Sequence, residues 1–130
     1  MISILGNLAR ACCGMALATA MMVLPAGHAN AHAHLARAVP AGNARLSAAP
    51  ASLSLTFSES ISLRFSDIAV TGPDNNPVKL GDRAFGANDH STLVVPVGEP
   101  LKAGKYTVVW HALAADGHKS TGSYAFTVEP

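Results

Sequence analysis

The sequence predicts an all-β fold, a small antiparallel Greek-key barrel or sandwich built as a single domain. About seven short segments alternate apolar and polar residues with the two-residue period of strands, and no segment shows a helical period. Clusters of Gly, Pro, Asn and Asp separate these segments, and such clusters are typical of turns. Together the two observations favour paired strands over any helical architecture.

An export leader is predicted at the amino terminus. Arg10 is the one charged residue before and within an apolar run over residues 11–24. A run of about 14 residues is too short to span a bilayer comfortably and has the length of a secretory signal. Both cysteines, Cys12 and Cys13, and all four methionines lie within this leader. The exported domain therefore has no disulfide, and its stability must come from packing.

The residues after the apolar run predict where the leader is removed. Ala29-Asn30-Ala31 has the small-x-small pattern that signal peptidases accept. We therefore expect a cleaved leader over residues 1–31 and a mature domain over residues 32–130, with no membrane anchor after cleavage. Two neighbouring frames would instead start the mature chain at Asn30 or at His34. The frame decides which residue carries the free α-amine.

The charge of the mature domain is balanced. The whole chain has nine Lys+Arg and eight Asp+Glu, and losing Arg10 leaves eight basic residues against eight acidic ones. This composition offers no basic patch for nucleic acid and no basic amphipathic helix for a membrane surface. We expect a monomer with neither kind of partner.

Within the mature chain, the strand pattern is clearest near the carboxyl end. Tyr106, Val108 and Trp110 fall on one face of a predicted strand, and polar or smaller residues fall on the other. Pro96 places another strand at a sheet edge or at a strand end. We expect strands over residues 51–57, 61–65, 68–70, 77–80, 92–97, 105–113 and 123–128, with a bulge at residues 66–67 and a turn at residues 114–117.

Two distant segments carry candidate metal ligands. A histidine at the mature amino terminus, His32, offers its α-amine and a ring nitrogen as one chelate, and Asp116 and His118 flank Gly117 in the predicted turn. If folding brings these segments together, the donors are an amine, two imidazoles and a carboxylate. Divalent copper favours nitrogen and oxygen donors in a tetragonal arrangement. The set predicts one Cu(II) ion per chain.

The residues alone leave other interpretations open. Asp and Gly are ordinary turn residues, and histidines at a chain terminus are often idle. With His32 as residue one, His34 is residue three, and an amine with a third-position imidazole can bind copper through deprotonated backbone amides. In that tail-only mode Asp116 and His118 bind no metal. Because preorganised ligands cost less ordering entropy, we favour the site that the fold supports.

Several longer segments carry a family resemblance. They are His32-Ala33-His34-Leu35, Pro40-Ala41-Gly42, Leu55-Thr56-Phe57-Ser58-Glu59, residues 101–110 and residues 116–128. Taken together they resemble the CopC family of periplasmic copper-resistance proteins over essentially the whole mature chain. The resemblance implies a cupredoxin-like or immunoglobulin-like Greek-key β-barrel in the periplasm. It also implies that Cu(II) is held by the amine and ring of His32 with Asp116 and His118.

The resemblance further implies partner proteins, and it draws attention to a Cu(I) site that some family members have and this sequence lacks. Family members often act beside an inner-membrane copper importer of the CopD type and an outer-membrane partner. Some carry a second site, for Cu(I), built from a methionine-rich loop and a histidine. The corresponding region here, residues 71–92, contains no methionine, so soft Cu(I) would lack thioether ligands. We therefore expect one Cu(II) site.

These observations predict a copper carrier or buffer for copper homeostasis or resistance, and not an enzyme. Four protein donors would fill the equatorial plane and leave little room for substrate. One rival is a copper oxidase with an amino-terminal histidine chelate, which needs open metal positions and often an aromatic surface, and this chain is 5% aromatic. Another rival is a metal-free immunoglobulin-like adhesion or assembly module. We expect His111 to be a packed or surface residue rather than a ligand, whereas His90, beside Asp89 in a polar loop, is at most a lone surface ligand without a soft partner.

Overall fold

Two four-stranded sheets pack face to face in this protein. The computed structural model describes residues 33–86 and 89–130. The strands in chain order are β1 (Leu35–Val39), β2 (Arg45–Leu46), β3 (Ser52–Phe57), β4 (Asp67–Thr71), β5 (Ala84–Gly86), β6 (Asp89–Pro96), β7 (Gly104–Leu113) and β8 (Lys119–Val128). One sheet has the order β1-β3-β6-β5 and the other β2-β8-β7-β4. In the described ranges no helix is long and apolar enough to cross a membrane.

Antiparallel pairing dominates both sheets, and the short β2 pairs with β8 in parallel. The longest ladder joins β7 to β8 and runs from the Gly104↔Val128 pair to the Leu113↔Lys119 pair. Because the chain passes repeatedly from one sheet to the other, residues far apart in sequence meet at the ends of the sandwich. The predicted all-β antiparallel fold is confirmed.

The core lies between the sheets and is built by alternate residues of the long strands. Leu53, Leu55 and Phe57 of β3 are buried, and so are the alternate residues of β7 from Tyr106 to Ala112. Trp110 meets Phe57 edge to face, with ring centroids 5.1 Å apart. Each large buried side chain contributes roughly 1.5–3 kcal/mol, so this interface supplies the stability that the absent disulfides do not.

The segment between β3 and β4 departs from the expected strand over residues 61–65. Ile61 forms a single bridge to Ala114, and Phe65 is 62% exposed instead of buried. The change of phase before β4 marks the crossing from one sheet to the other, where Ser66 is fully buried and its hydroxyl accepts a hydrogen bond from the Leu113 amide at 3.1 Å. Crossing between sheets, rather than a bulge within one strand, explains the slipped alternation.

The middle of the chain also differs in detail from the sequence pattern. β6 lies between β3 and β5, so it is an interior strand, and Pro96 occupies its last position as a strand end allows. The strand expected over residues 77–80 is reduced to two isolated bridges, Thr71↔Pro77 and Leu80↔Val97. The three residues of β5 were not expected, because so short an edge strand has no periodicity to detect.

Close packing of Gly122 against Trp110 gives a stability prediction. A Cβ atom at position 122 would lie 2.5 Å from Trp110 Cζ2, so Gly122→Ala must displace the indole ring. We expect a loss of about 1–3 kcal/mol in the free energy of unfolding, measured by denaturant titration. Gly42→Ala is the control, since its Cβ would meet Tyr124 Cβ at an ordinary 3.7 Å. Equal stability of the two variants would contradict this packing.

The two tyrosines give a pH prediction. Burial raises the pKa of Tyr124 to about 12 and also raises the pKa of Tyr106, whose hydroxyl donates to the Lys102 carbonyl at 2.6 Å. An unfolded chain ionises tyrosine near ~10. The neutral tyrosines therefore favour the folded state below pH ~10, and this stability is lost as pH rises toward the folded pKa values. Ultraviolet titration should show no tyrosinate near pH 10 until the protein unfolds, whereas full ionisation of the folded protein there would contradict burial.

Candidate metal centre

The turn that closes the β7–β8 hairpin carries two of the three predicted ligands. The Ala114 amide donates to the His118 carbonyl at 2.9 Å, and the Gly117 amide donates to the Ala114 carbonyl at 3.0 Å. Gly117 has φ = 90°, a left-handed conformation that glycine adopts without steric cost. A tight turn of this kind places Asp116 and His118 on either side of the glycine, at the end of the sandwich.

Asp116 and His118 face each other within this turn. The backbone amide of His118 donates to Asp116 Oδ1 at 3.0 Å, and His118 Nδ1 lies 3.1 Å from Asp116 Oδ2. The side chains are 53% exposed for His118 and 35% exposed for Asp116. A carboxylate and an imidazole are thus held side by side at a surface that solvent and ions reach.

The backbone beneath this pair is braced by the segment that connects β3 to β4. The Ser62 amide donates to the Leu113 carbonyl at 2.8 Å, and the Ala115 amide donates to the Ser60 carbonyl at 2.9 Å. Together with the bond from Leu113 to the buried Ser66, these contacts hold the β7 side of the hairpin end. The candidate pair is exposed, but the chain that leads into it is fixed by hydrogen bonds.

The amino-terminal segment enters the fold beside the same turn. Ala33, the first residue described, is fully buried in the core, and its carbonyl accepts a hydrogen bond from Ser120 Oγ at 2.5 Å. Ser120 is two residues beyond His118. His32 and the predicted cleavage site after Ala31 lie outside the described residues. The structure therefore brings the residue next to His32, but not His32 itself, to the candidate site.

The next residue, His34, is fixed at the start of β1. Its amide donates to Ser58 Oγ at 3.0 Å, and its carbonyl accepts from the Ser58 amide at 2.9 Å. The His34 side chain is exposed. Backbone bonds to the end of β3 thus hold the segment that the tail-only mode of copper binding would use.

The remaining mature histidines lie on strand surfaces, as expected for His111 but not for His90, which was expected in a loop and lies in β6. His111 is exposed on β7, on the face opposite the buried Trp110, and His90 stacks on Phe85 with ring centroids 4.7 Å apart. Within residues 33–86 and 89–130, no group of three or more His, Cys, Asp or Glu side chains is placed to hold a metal. Asp116 and His118 supply two donors of the predicted set.

Ser58 and Ser120 are contacts of the amino-terminal segment that the sequence did not reveal. Both donate or accept at the amino-terminal segment through side-chain hydroxyls. Serine is common on exposed strand positions, and neither residue belongs to a spacing pattern that indicates a metal site. These two serines could be identified only from the strand order, which shows which residues lie beside the amino-terminal segment.

The family model described as the CopC domain matches residues 35–129 of this chain. The chain belongs to the CopC family. The Escherichia coli (strain K12) protein YobA is 41% identical over 115 residues, which is 88% of this chain and 91% of YobA. Copper resistance protein C from Pseudomonas syringae pv. tomato is 36% identical over 106 residues, 78% of this chain and 83% of that protein.

A solved structure supports the same assignment. The crystal structure of PcoC, a methionine-rich copper resistance protein from Escherichia coli, matches this CopC chain with a TM-score of 0.68 and 38% identity. The match covers 76% of this chain and all of the PcoC chain. In contrast to a methionine-rich relative, this CopC chain has its four methionines at positions 1, 15, 21 and 22, so residues 33–130 contain none.

Proposed function

We propose that this CopC protein is an exported copper carrier that binds one Cu(II) ion through the α-amine and ring of His32 together with Asp116 and His118. The observation that carries the proposal is the hydrogen bond from Ser120 to the Ala33 carbonyl. It places the residue covalently bonded to His32 beside the strand that begins at the ligand turn. Membership of a family with copper resistance proteins among its members supplies the identity of the metal.

Covalent geometry supports the convergence of the three ligands. Consecutive Cα atoms are about 3.8 Å apart, so residue 32 has a reach of one residue from the anchored Ala33. Ser120 and His118 are likewise separated by a single residue. We therefore expect that little chain entropy is lost when the α-amine and imidazole of His32 bind one ion together with Asp116 and His118.

The chemistry of the donors suits Cu(II). Amine and imidazole nitrogens with a carboxylate oxygen are the donors that favour a tetragonal copper site. An unperturbed α-amine titrates near ~8 and an imidazole near ~6.5, so both release protons to a metal at modest cost near neutral pH. Because the Asp116 and His118 side chains are partly exposed, an incoming or receiving ligand can reach the ion.

A carrier role in the periplasm follows from these features. Four protein donors complete an equatorial plane, and a surface site of this kind favours capture and release by ligand exchange over catalysis. The proposed leader over residues 1–31 exports the chain, and an inner-membrane copper importer of the CopD type is the proposed recipient. Without methionine in residues 33–130, the protein handles Cu(II) rather than Cu(I). We expect a monomer.

Copper titration of the exported protein tests the proposal. Intact mass should show a chain that starts at His32 and gains one copper, with a visible d–d band complete at one equivalent. His118→Ala should lower the affinity by more than about a hundredfold, a larger loss than is typical of a residue behind the ligands. A glycine added before His32 should also weaken binding, because it converts the chelating amine into an amide.

His111→Ala is the matched control, since it removes an exposed imidazole from the same hairpin and should leave the affinity unchanged. Full affinity in the His118→Ala variant would contradict the proposed ligand set. Absence of a d–d band would favour the metal-free assembly module. Oxidative turnover that is lost in Asp116→Ala would favour the copper oxidase.

A further inference from the structure

Three contacts immobilise the first two described residues against the sheet. The Ala33 side chain is fully buried in the core, and the Ala33 carbonyl accepts from Ser120 Oγ at 2.5 Å. The His34 amide donates to Ser58 Oγ at 3.0 Å. The two hydroxyls belong to different parts of the chain, at the end of β3 and near the start of β8. They therefore hydrogen-bond the amino-terminal segment to both sheets.

These contacts occupy the backbone that a competing copper complex needs. In the tail-only mode, Cu(II) is held by the α-amine, the imidazole of His34 and the deprotonated amide nitrogens of residues 33 and 34. The His34 amide hydrogen is donated to Ser58, so it would have to leave that bond and be lost to solvent. The copper complex also needs the backbone of residues 33 and 34 to take up a planar chelate geometry, whereas this segment is held on the sheet with the Ala33 side chain buried in the core. The fold therefore opposes the tail-only mode.

We propose that Ser58 and Ser120 are positioning residues that decide which of two copper complexes the amino terminus forms. By holding residues 33 and 34 on the sheet, they keep the His34 amide hydrogen in its bond to Ser58 and the Ala33 backbone beside β8, and so direct the metal to the ligands at the β7–β8 turn. This inference rests on the proposed function. It adds an explanation of why copper binds at the folded site rather than in the tail-only mode. Neither serine touches the metal.

The size of the effect follows from the hydrogen bonds that are removed. A net hydrogen bond is worth about a twofold to tenfold change in an equilibrium, and more where a buried acceptor is left unpaired, as the Ala33 carbonyl would be in Ser120→Ala. We expect a shift of about tenfold toward the tail-only complex in each single variant. The Ser58→Ala, Ser120→Ala double variant should show a larger shift.

Titration with Cu(II) alone distinguishes the two complexes by readouts that do not require copper transfer to a recipient protein. The tail-only complex releases two additional amide protons for each copper, so the proton count from titrations in two buffers rises. Its amide nitrogens are stronger-field donors, so its d–d band lies at shorter wavelength. In the serine variants, the band should move to shorter wavelength, and adding His118→Ala should cost less affinity than it does in the parent protein.

Ser123→Ala is the matched control, because it removes an exposed serine hydroxyl from the same strand. Ser120→Thr restores a hydroxyl and should restore the parent band and proton count. Ser58→Ala changes an exposed hydrogen bond and leaves the core contacts of Ala33 in place, so it keeps the test available if Ser120→Ala is poorly folded.

The outcomes distinguish this inference from the proposed function. If the parent protein binds copper through His118, but both serine variants keep its band, proton count and full dependence on His118, the positioning role is wrong and the proposed function stands. If the parent protein itself releases amide protons and its copper affinity is unchanged by His118→Ala, the proposed ligand set is wrong, and the positioning role is wrong with it.

Discussion

Antiparallel pairing between β7 and β8 determines where Asp116, His118 and Ser120 lie. The ladder ends at the Leu113↔Lys119 pair, so Asp116 and His118 fall in the closing turn and Ser120 falls one residue inside the strand. A slip of one residue would reverse the faces of β8 and direct the Ser120 hydroxyl away from Ala33. Trp110 opposite Gly122 makes such a slip costly, because it would bring Thr121 or Ser123, each with a Cβ atom, against the indole.

Rigidity and exposure are divided between different parts of this site. The backbone is fixed by the core, by the bonds from residues 60 and 62 to the hairpin, and by the two serine hydroxyls at the amino-terminal segment. The Asp116 and His118 side chains remain open to solvent. A fixed frame lowers the entropy cost of gathering ligands, and open side chains allow ligand exchange, which are the two requirements of a carrier.

The sequence predicted the strands whose alternation follows one core face and missed those that are too short to show a period. β7 was expected because Tyr106, Val108 and Trp110 all face one core, so alternation and burial coincide. Phe65 was expected in a strand, yet it lies in a segment that crosses between sheets, where alternation carries no information about burial. Whether β6 is an edge or an interior strand depends on β5, which is too short to show a period.

In the candidate site, too, the sequence was sufficient for local geometry alone. Spacing around Gly117 was enough to pair Asp116 with His118, because a two-residue separation across a glycine turn is a local property. The approach of Ala33 to Ser120 is not local: 87 residues separate the two partners, and their contact depends on the order of strands in both sheets. His32 lies outside the described residues, so its place in the site stays a prediction.

The position of the single tryptophan has a practical consequence. Trp110 lies in the hairpin that ends at the ligand turn, and its indole is 6% exposed, against Phe57 and opposite Gly122. Cu(II) quenches nearby indole emission, and the protein has no second tryptophan to obscure the change. The molecule thus contains its own fluorescent reporter, so copper binding at the proposed site can be followed in real time without an attached dye.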